Sequence, residues 1–116
     1  MTSVSSYKPL SHYVWGGNCD GWNFVDTDVL SVKQEKMPAG TTEKFHYHER
    51  AQQFFYILSG QAIVLIESEE LILYPGEGIH ITAGKKHKIS NAADEHLEFI
   101  LCSQPSTKND RINVEQ

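Results

Sequence analysis

Three histidines and a glutamine are spaced so that a single metal ion could collect their side chains. The residues are His46, His48, Gln53 and His87. Imidazole is the commonest protein ligand for Zn, Fe, Ni and Cu. His46 and His48 stand two apart on a predicted strand, so both side chains point to one face of it. A metal site therefore requires a fold that brings a separate hairpin carrying His87 against that face.

Length and composition indicate one soluble domain and exclude several classes of function. The chain has 116 residues, 40% of them apolar, and a net charge of −5 with scattered Lys and Arg. No basic stripe indicates nucleic-acid binding, and no apolar run is long enough to span a membrane. Two cysteines do not make a disulfide framework, and the first residues lack a secretory signal pattern. We therefore expect a cytoplasmic protein with no nucleic-acid or membrane partner.

Hydrophobic patterning predicts an all-β fold. No segment shows helical periodicity over ten residues, whereas short apolar runs alternate with Gly and Pro turns. This pattern is typical of a β-sandwich or barrel. Strands are predicted over 29–34, 54–58, 62–66, 71–74, 79–81, 87–90 and 97–102. The first strand is expected to turn Leu30 and Val32 inward.

The spacing of glycines and ligand residues resembles the two motifs of the cupin superfamily. The first motif runs Gly40-(five residues)-His46-Tyr47-His48-(four)-Gln53-(six)-Gly60, and the second runs Gly76-(five)-Thr82-Ala83-Gly84-Lys85-Lys86-His87-(three)-Asn91. The family usually has Glu in place of Gln53 and Pro in place of Thr82. Gly60 sets the register of the first motif, and for that reason Gln53 is preferred over Gln52 as the ligand.

The resemblance implies a double-stranded β-helix, also called a jelly-roll or cupin barrel, with a metal inside it. The expected organisation is an N-terminal arm over 1–28, a cupin barrel over 29–105 and a C-terminal tail over 106–116. The resemblance also implies that the four residues above hold a divalent transition metal, either Zn, Fe, Ni or Mn. The substitution of Gln for Glu removes a charged ligand. We therefore expect a stronger Lewis acid that is held less tightly.

The expected ligand pocket is mainly hydrophobic. Counting back from Pro105, the last strand should turn Leu97, Phe99, Leu101 and Ser103 inward, and Glu98 outward. The candidate pocket residues are Gln34, Phe55, Phe99 and Leu101. No general acid or base can be assigned from the sequence, so the catalytic residues stay unknown.

Two classes of function remain open. The first is a small metal-dependent enzyme acting on a small oxygenated organic substrate, either as a lyase or isomerase or as a dioxygenase. The second is a non-catalytic module that binds or senses a small ligand. The short segment before the first core strand carries no helical pattern, which argues against a fused helix-turn-helix regulator. Cupins often pair through edge strands, and the outward side chains of Phe54 and Tyr56 suggest a homodimer.

Overall fold

The computed structural model describes residues 2–115, which form eleven β-strands, and none of these residues is helical. The strands are β1 (Ser11–Trp15), β2 (Cys19–Asp26), β3 (Ser31–Met37), β4 (His46–Tyr47), β5 (Gln52–Ser59), β6 (Ala62–Ile66), β7 (Glu69–Leu73), β8 (Gly78–Ile81), β9 (His87–Ser90), β10 (Leu97–Gln104) and β11 (Ile112–Asn113). The all-β prediction is confirmed. No helix within this range is long and apolar enough to cross a membrane.

The strands form two antiparallel sheets that enclose one core. One sheet has the order β1-β2-β3-β10-β5-β8, and the other has the order β11-β4-β9-β6-β7. From β3 onward the chain alternates between the sheets, with only the β6–β7 hairpin staying within one of them. Buried side chains from both sheets make a single hydrophobic cluster. This alternation places residues that are distant in sequence on facing walls.

Burial on the two central strands of the larger sheet alternates with period two. Strand β5 buries Phe55 and Ile57, and its neighbour β10 buries every second residue from Leu97 to Ser103. Apolar residues at alternate positions turn one face of a strand towards the core and leave the other towards solvent. The inward face predicted for the last strand is therefore confirmed.

The inward face predicted for the first core strand is wrong by one residue. Strand β3 buries Ser31 and Met37 at its ends, so its inward face carries odd-numbered residues. Leu30, which was expected inside, is 39% exposed. The predicted pocket residue Gln34 lies on the opposite face, where its amide donates to the Glu98 carboxylate at 3.3 Å. Polar residues occupy both faces of β3, so the hydrophobic pattern alone could not fix its register.

Both ends of the chain add to the sheets. Residues 11–26, within the predicted arm, contribute β1 and β2 to the larger sheet, where the Trp15 indole donates to the Asp20 carbonyl. In the predicted tail, β11 pairs with β4, and the Val114 amide donates to the Phe45 carbonyl at 2.9 Å. Met1 and Gln116, at the ends of the predicted arm and tail, lie outside the described residues.

Two adjacent residues of β5 provide a matched test of the core. Ile57 is fully buried, whereas Leu58 is 42% exposed. We expect Ile57→Ala to lower the free energy of unfolding by about 2–5 kcal/mol, because it removes buried methyl groups and leaves a cavity. Leu58→Ala should cost less than about 1 kcal/mol. Urea unfolding followed by fluorescence measures both, and equal losses would contradict the assigned faces.

Candidate metal centre

The fold brings the four predicted ligand residues to one place. His46 on β4 lies directly opposite His87 on β9 in the smaller sheet, and His48 follows two residues later. Gln53 reaches the same place from β5 of the larger sheet. All four side chains are buried, at 2–5% relative exposure. The candidate ligands therefore come from both sheets and meet between them.

Backbone carbonyls orient all three imidazole rings. Each Nδ1 lies 2.7 or 2.8 Å from a carbonyl oxygen, that of Lys44 for His46, of Asp110 for His48 and of Lys85 for His87. A carbonyl oxygen only accepts hydrogen bonds, so each Nδ1 carries the ring proton. The lone pair of each neutral ring is therefore on Nε2, and the candidate ligand atoms of the three rings lie within 4.8 Å of one another.

The unpaired atoms at this place fit a bound cation. The buried Nε2 of His48 has no hydrogen-bond partner among the described residues. The Nε2 of His87 lies 3.1 Å from Oε1 of Gln53, so two acceptors face each other. The Gln53 amide nitrogen is directed away, towards the Ser103 hydroxyl at 3.1 Å. Buried acceptors without a donor are unfavourable, and a metal ion shared by these atoms would satisfy them.

Burial keeps the three histidines neutral. Desolvation lowers the pKa of His46 to about 3 and that of His87 to about 4. Desolvation also lowers the pKa of His48, although its bond to the Asp110 carbonyl opposes the shift. Neutral imidazole is the form that ligates metals, so the three rings are in the ligating form at neutral pH.

Asp110 in the C-terminal segment supports this group of ligands. Its carboxylate accepts backbone N–H bonds from Glu49, Arg50 and Ala51 at 2.9–3.1 Å, and its carbonyl accepts from His48. Burial opposes ionisation of Asp110, but the three N–H donors hold its pKa below the ordinary value. Groups that fix the ring orientation of a ligand tune metal binding. Nothing in the local sequence marks this residue, because its partners are about 60 positions away.

A cavity of about 240 Å³ opens beside the candidate ligands. Phe55 and Leu101, two of the candidate pocket residues, line it. Phe99 lies in the core beside it, with its ring centroid 5.5 Å from that of Phe55. Gln34, on the outer face of β3, does not line the cavity.

The expectation of a mainly hydrophobic pocket with few polar groups is wrong. Five ionisable side chains that the sequence analysis did not single out also line the cavity: Tyr13, Lys33, Glu35, Glu43 and Arg111. Two of them, Lys33 and Glu35, were assigned to the outer face by the register error on β3. The others come from β1, from the segment before β4 and from the C-terminal segment, whose positions depend on tertiary structure.

Comparisons with known proteins identify a family. A sequence model described as a cupin domain matches residues 33–103. The chain is 28% identical over 65 residues to the oxalate-binding protein of Thermotoga maritima, covering 56% of this chain and 54% of that protein. It is 33% identical over 72 residues to quercetin 2,3-dioxygenase of Bacillus subtilis, a match that covers 62% of this chain and 20% of that protein. The matches span 60%, 47% and 54% of the lengths of the first three curated relatives.

Solved structures share the fold at low sequence identity. KdgF from Halomonas sp. superposes with a TM-score of 0.83 at 18% identity, covering 94% of this chain and 97% of that one. An RmlC-like cupin from Shewanella frigidimarina gives a TM-score of 0.80 at 16% identity, and the superposition covers 94% of this chain and 96% of that one. The predicted double-stranded β-helix is therefore confirmed.

The lowered pKa values of the histidines predict acid sensitivity of the metal-free protein. Between the unfolded value of 6.5 and the folded values of about 3 and 4, the unfolded chain binds more protons than the folded one. The part of the stability that these two histidines contribute is therefore fully present above pH 6.5 and is lost as the pH falls. Each such histidine contributes a loss of roughly 1.4 kcal/mol per pH unit in this window.

Urea unfolding of chelator-treated protein at pH 7.0 and pH 5.0 measures this loss. The double variant His46→Asn/His87→Asn should show a shallower pH dependence than the unmodified chain. If the pH dependence of the free energy of unfolding were the same in the variant and the unmodified chain, the two rings would not be the source of the acid sensitivity.

Proposed function

Because the chain belongs to the cupin family, we propose that His46, His48, Gln53 and His87 hold one divalent transition-metal ion, either Zn, Fe, Ni or Mn. The observation that supports this proposal most directly is the convergence of three buried imidazoles, whose candidate ligand atoms on His46, His48 and His87 lie within 4.8 Å of one another. Three oriented rings and an amide oxygen leave one or two coordination positions open, as a metal that binds an exogenous ligand requires.

Gln53 determines the charge of this centre. Three neutral imidazoles and an amide leave a divalent ion at its full +2, whereas the Glu usual in the family would reduce it to +1. A higher residual charge polarises a bound oxygen more strongly and lowers the pKa of a bound water. The missing carboxylate also weakens retention of the ion. The proposed centre is therefore more electrophilic and more easily stripped than one with Glu at this position.

The proposed activity is metal-dependent chemistry on a small oxygenated organic molecule. When bound, the ion would act as a Lewis acid towards a substrate oxygen. The chain itself supplies a cavity of about 240 Å³ that is lined in part by the apolar side chains of Phe55 and Leu101. A volume of this size limits the substrate to a small molecule. The ionisable groups that also line the cavity favour lyase or isomerase chemistry, which needs proton transfer, over dioxygenation.

The second candidate function is non-catalytic binding of a small ligand. One relative bears the name oxalate-binding protein, and the cationic side chains of Lys33 and Arg111 in the cavity wall suit an anionic ligand. A binding module requires the metal and these cations but no proton-transfer group. Turnover of any substrate would separate the two candidates.

Elemental analysis of protein purified without chelator tests the metal centre. We expect close to one equivalent of a transition metal per chain, and none in His46→Ala/His48→Ala, since that variant loses two of the four ligands. Circular dichroism of both proteins shows whether the variant is folded. A wild-type metal content no higher than that of a folded double variant would overturn the proposal.

Gln53→Glu provides the matched comparison for the charge of the centre. The side chains have nearly the same shape, so the difference in metal retention reports the added negative charge. We expect the Glu variant to release its ion more slowly to a competing chelator. Equal release rates would contradict the assignment of Gln53 as a ligand.

We also propose that the chain forms a homodimer through the outer face of the larger sheet. Phe54 and Tyr56 are 42% and 40% exposed, and their rings stack with centroids 6.4 Å apart beside the edge strand β8. Light scattering after gel filtration should give twice the mass of one chain. Phe54→Glu/Tyr56→Glu should give a monomer, whereas Ile72→Glu, at an exposed position of the other sheet, should remain a dimer. A monomeric wild type would contradict this.

A further inference from the structure

We propose that Glu35 is the proton-transfer residue of the cavity, with Tyr13 as its positioning partner, and that the substrate is a small carbonyl compound with a C–H bond next to the carbonyl. This inference rests on the proposed metal-dependent function. Glu35 lines the same cavity as His46, His48 and Gln53. It lies on β3, and the cluster of candidate ligand atoms does not include it.

Gly21 on β2 leaves the space in which Tyr13 reaches Glu35. In the larger sheet, Tyr13 pairs with Gly21, and Gly21 pairs with Glu35 on the next strand. The Tyr13 ring lies across the space above Gly21, where a Cβ atom would collide with the ring. The phenol therefore spans the middle strand and donates to Oε2 of Glu35 at 2.5 Å. A residue with a side chain at position 21 would displace the Tyr13 ring from this position.

This arrangement leaves one carboxylate oxygen for the substrate. Within residues 2–115, no protein group donates a hydrogen bond to Oε1 of Glu35. Burial raises the pKa of Glu35, while the Tyr13 bond and the charges of Lys33 and Arg111 oppose the shift. The ammonium of Lys33 also lies 5.3 Å from the centroid of the Tyr13 ring. A carboxyl group with a free oxygen and a raised pKa can take a proton from a substrate and return it.

The second acidic residue in the cavity wall has a different role. Glu43 accepts the Ile89 amide at 3.0 Å through Oε1, and its Oε2 lies 3.8 Å from Arg111. Both oxygens are thus engaged with protein groups that tie the segment before β4 to β9 and to the C-terminal segment. Burial raises the pKa of Glu43 to about 8. These contacts indicate that Glu43 stabilises this part of the cavity wall. Glu35, by contrast, has a free carboxylate oxygen and is therefore the proton carrier.

The proposed step conserves atoms and electrons without any oxidant. The Glu35 carboxylate removes a proton from the carbon next to the substrate carbonyl. The electron pair of the broken C–H bond forms a C=C bond, and the carbonyl π pair moves onto oxygen. When the carboxyl group returns a proton to the same carbon, the carbonyl compound is regenerated. In heavy water the carboxyl proton exchanges with solvent, so the regenerated compound carries one deuteron in place of a proton.

Hydrogen exchange into simple probes tests this step without the natural substrate. Metal-loaded protein is incubated in heavy water with dihydroxyacetone or with pyruvate, and loss of the C–H signal is followed by proton NMR. We expect exchange above the protein-free rate with the wild type. Glu35→Gln should reduce it by a factor of about 100 or more, since general-base catalysis contributes about 10²–10⁴. Glu98→Gln, on the outer face of the neighbouring strand, should exchange at the wild-type rate.

Metal content separates failure of this inference from failure of the metal site. A wild type without metal would overturn the proposed function. Metal-loaded wild type that exchanges neither probe, or Glu35→Gln that retains both metal and wild-type exchange, would overturn the role of Glu35. Oxygen consumption with either probe in place of exchange would also overturn it, because dioxygenation does not need this proton transfer.

Infrared difference spectra of metal-free protein provide a readout independent of turnover. As the pH is raised, the carboxylic-acid C=O band of the wild type and of Glu98→Gln should lose a component that is missing from Glu35→Gln, whereas the component from Glu43, whose pKa is raised to about 8, should titrate in all three proteins. Tyr13→Phe should move the midpoint of the Glu35 component to higher pH, because the phenol stabilises the charged carboxylate. Gly21→Ala should reproduce the Tyr13→Phe midpoint by displacing the ring. Identical difference spectra for the wild type and Glu35→Gln would contradict the proposal.

Discussion

The proton positions on three imidazole rings determine what the interior of this protein can bind. Because each Nδ1 donates to a backbone carbonyl, each Nε2 can only accept. The Gln53 oxygen, turned towards His87 by the bond between its amide and Ser103, adds a further acceptor. A buried concentration of lone pairs without donors is costly unless a cation occupies it. The two sheets must hold these groups together in the metal-free protein, which explains why a residue as remote as Asp110 contacts the loop after His48.

The alternation of strands between the sheets makes this arrangement feasible. His46 and His87 meet as partners on neighbouring strands of one sheet, while Gln53 arrives from the other. Rigid strands hold such side chains more precisely than loops do, which matters for a centre that relies on neutral ligands. The segments at either end of the chain complete this arrangement. Strand β11 covers β4, and strands β1 and β2 extend the larger sheet so that Tyr13 reaches the cavity.

The cavity combines apolar and ionisable side chains. Phe55 and Leu101 of the larger sheet present apolar surface, Glu35 adds a carboxyl group of raised pKa from the neighbouring strand β3 of the same sheet, and Glu43 adds another from the segment before β4. The proposed metal ion and the proposed proton carrier would together supply the two components that enolisation requires. Desolvated carboxyl groups are costly to bury, and groups with such perturbed pKa values are often found at functional sites.

The sequence by itself determined the all-β class, the inward face of β10 and the identity of the four candidate ligands. These features depend on period-two patterning, on turn residues and on spacing within a motif, all of which are local. Only the tertiary structure decided the register of β3, where polar residues on both faces give no hydrophobic signal. It also decided that Tyr13, Glu35 and Asp110 stand near the candidate centre. Their positions follow from strand pairings between residues 8 and 14 positions apart and from a contact between residues 62 positions apart, and a strand carries no local signal of its partner.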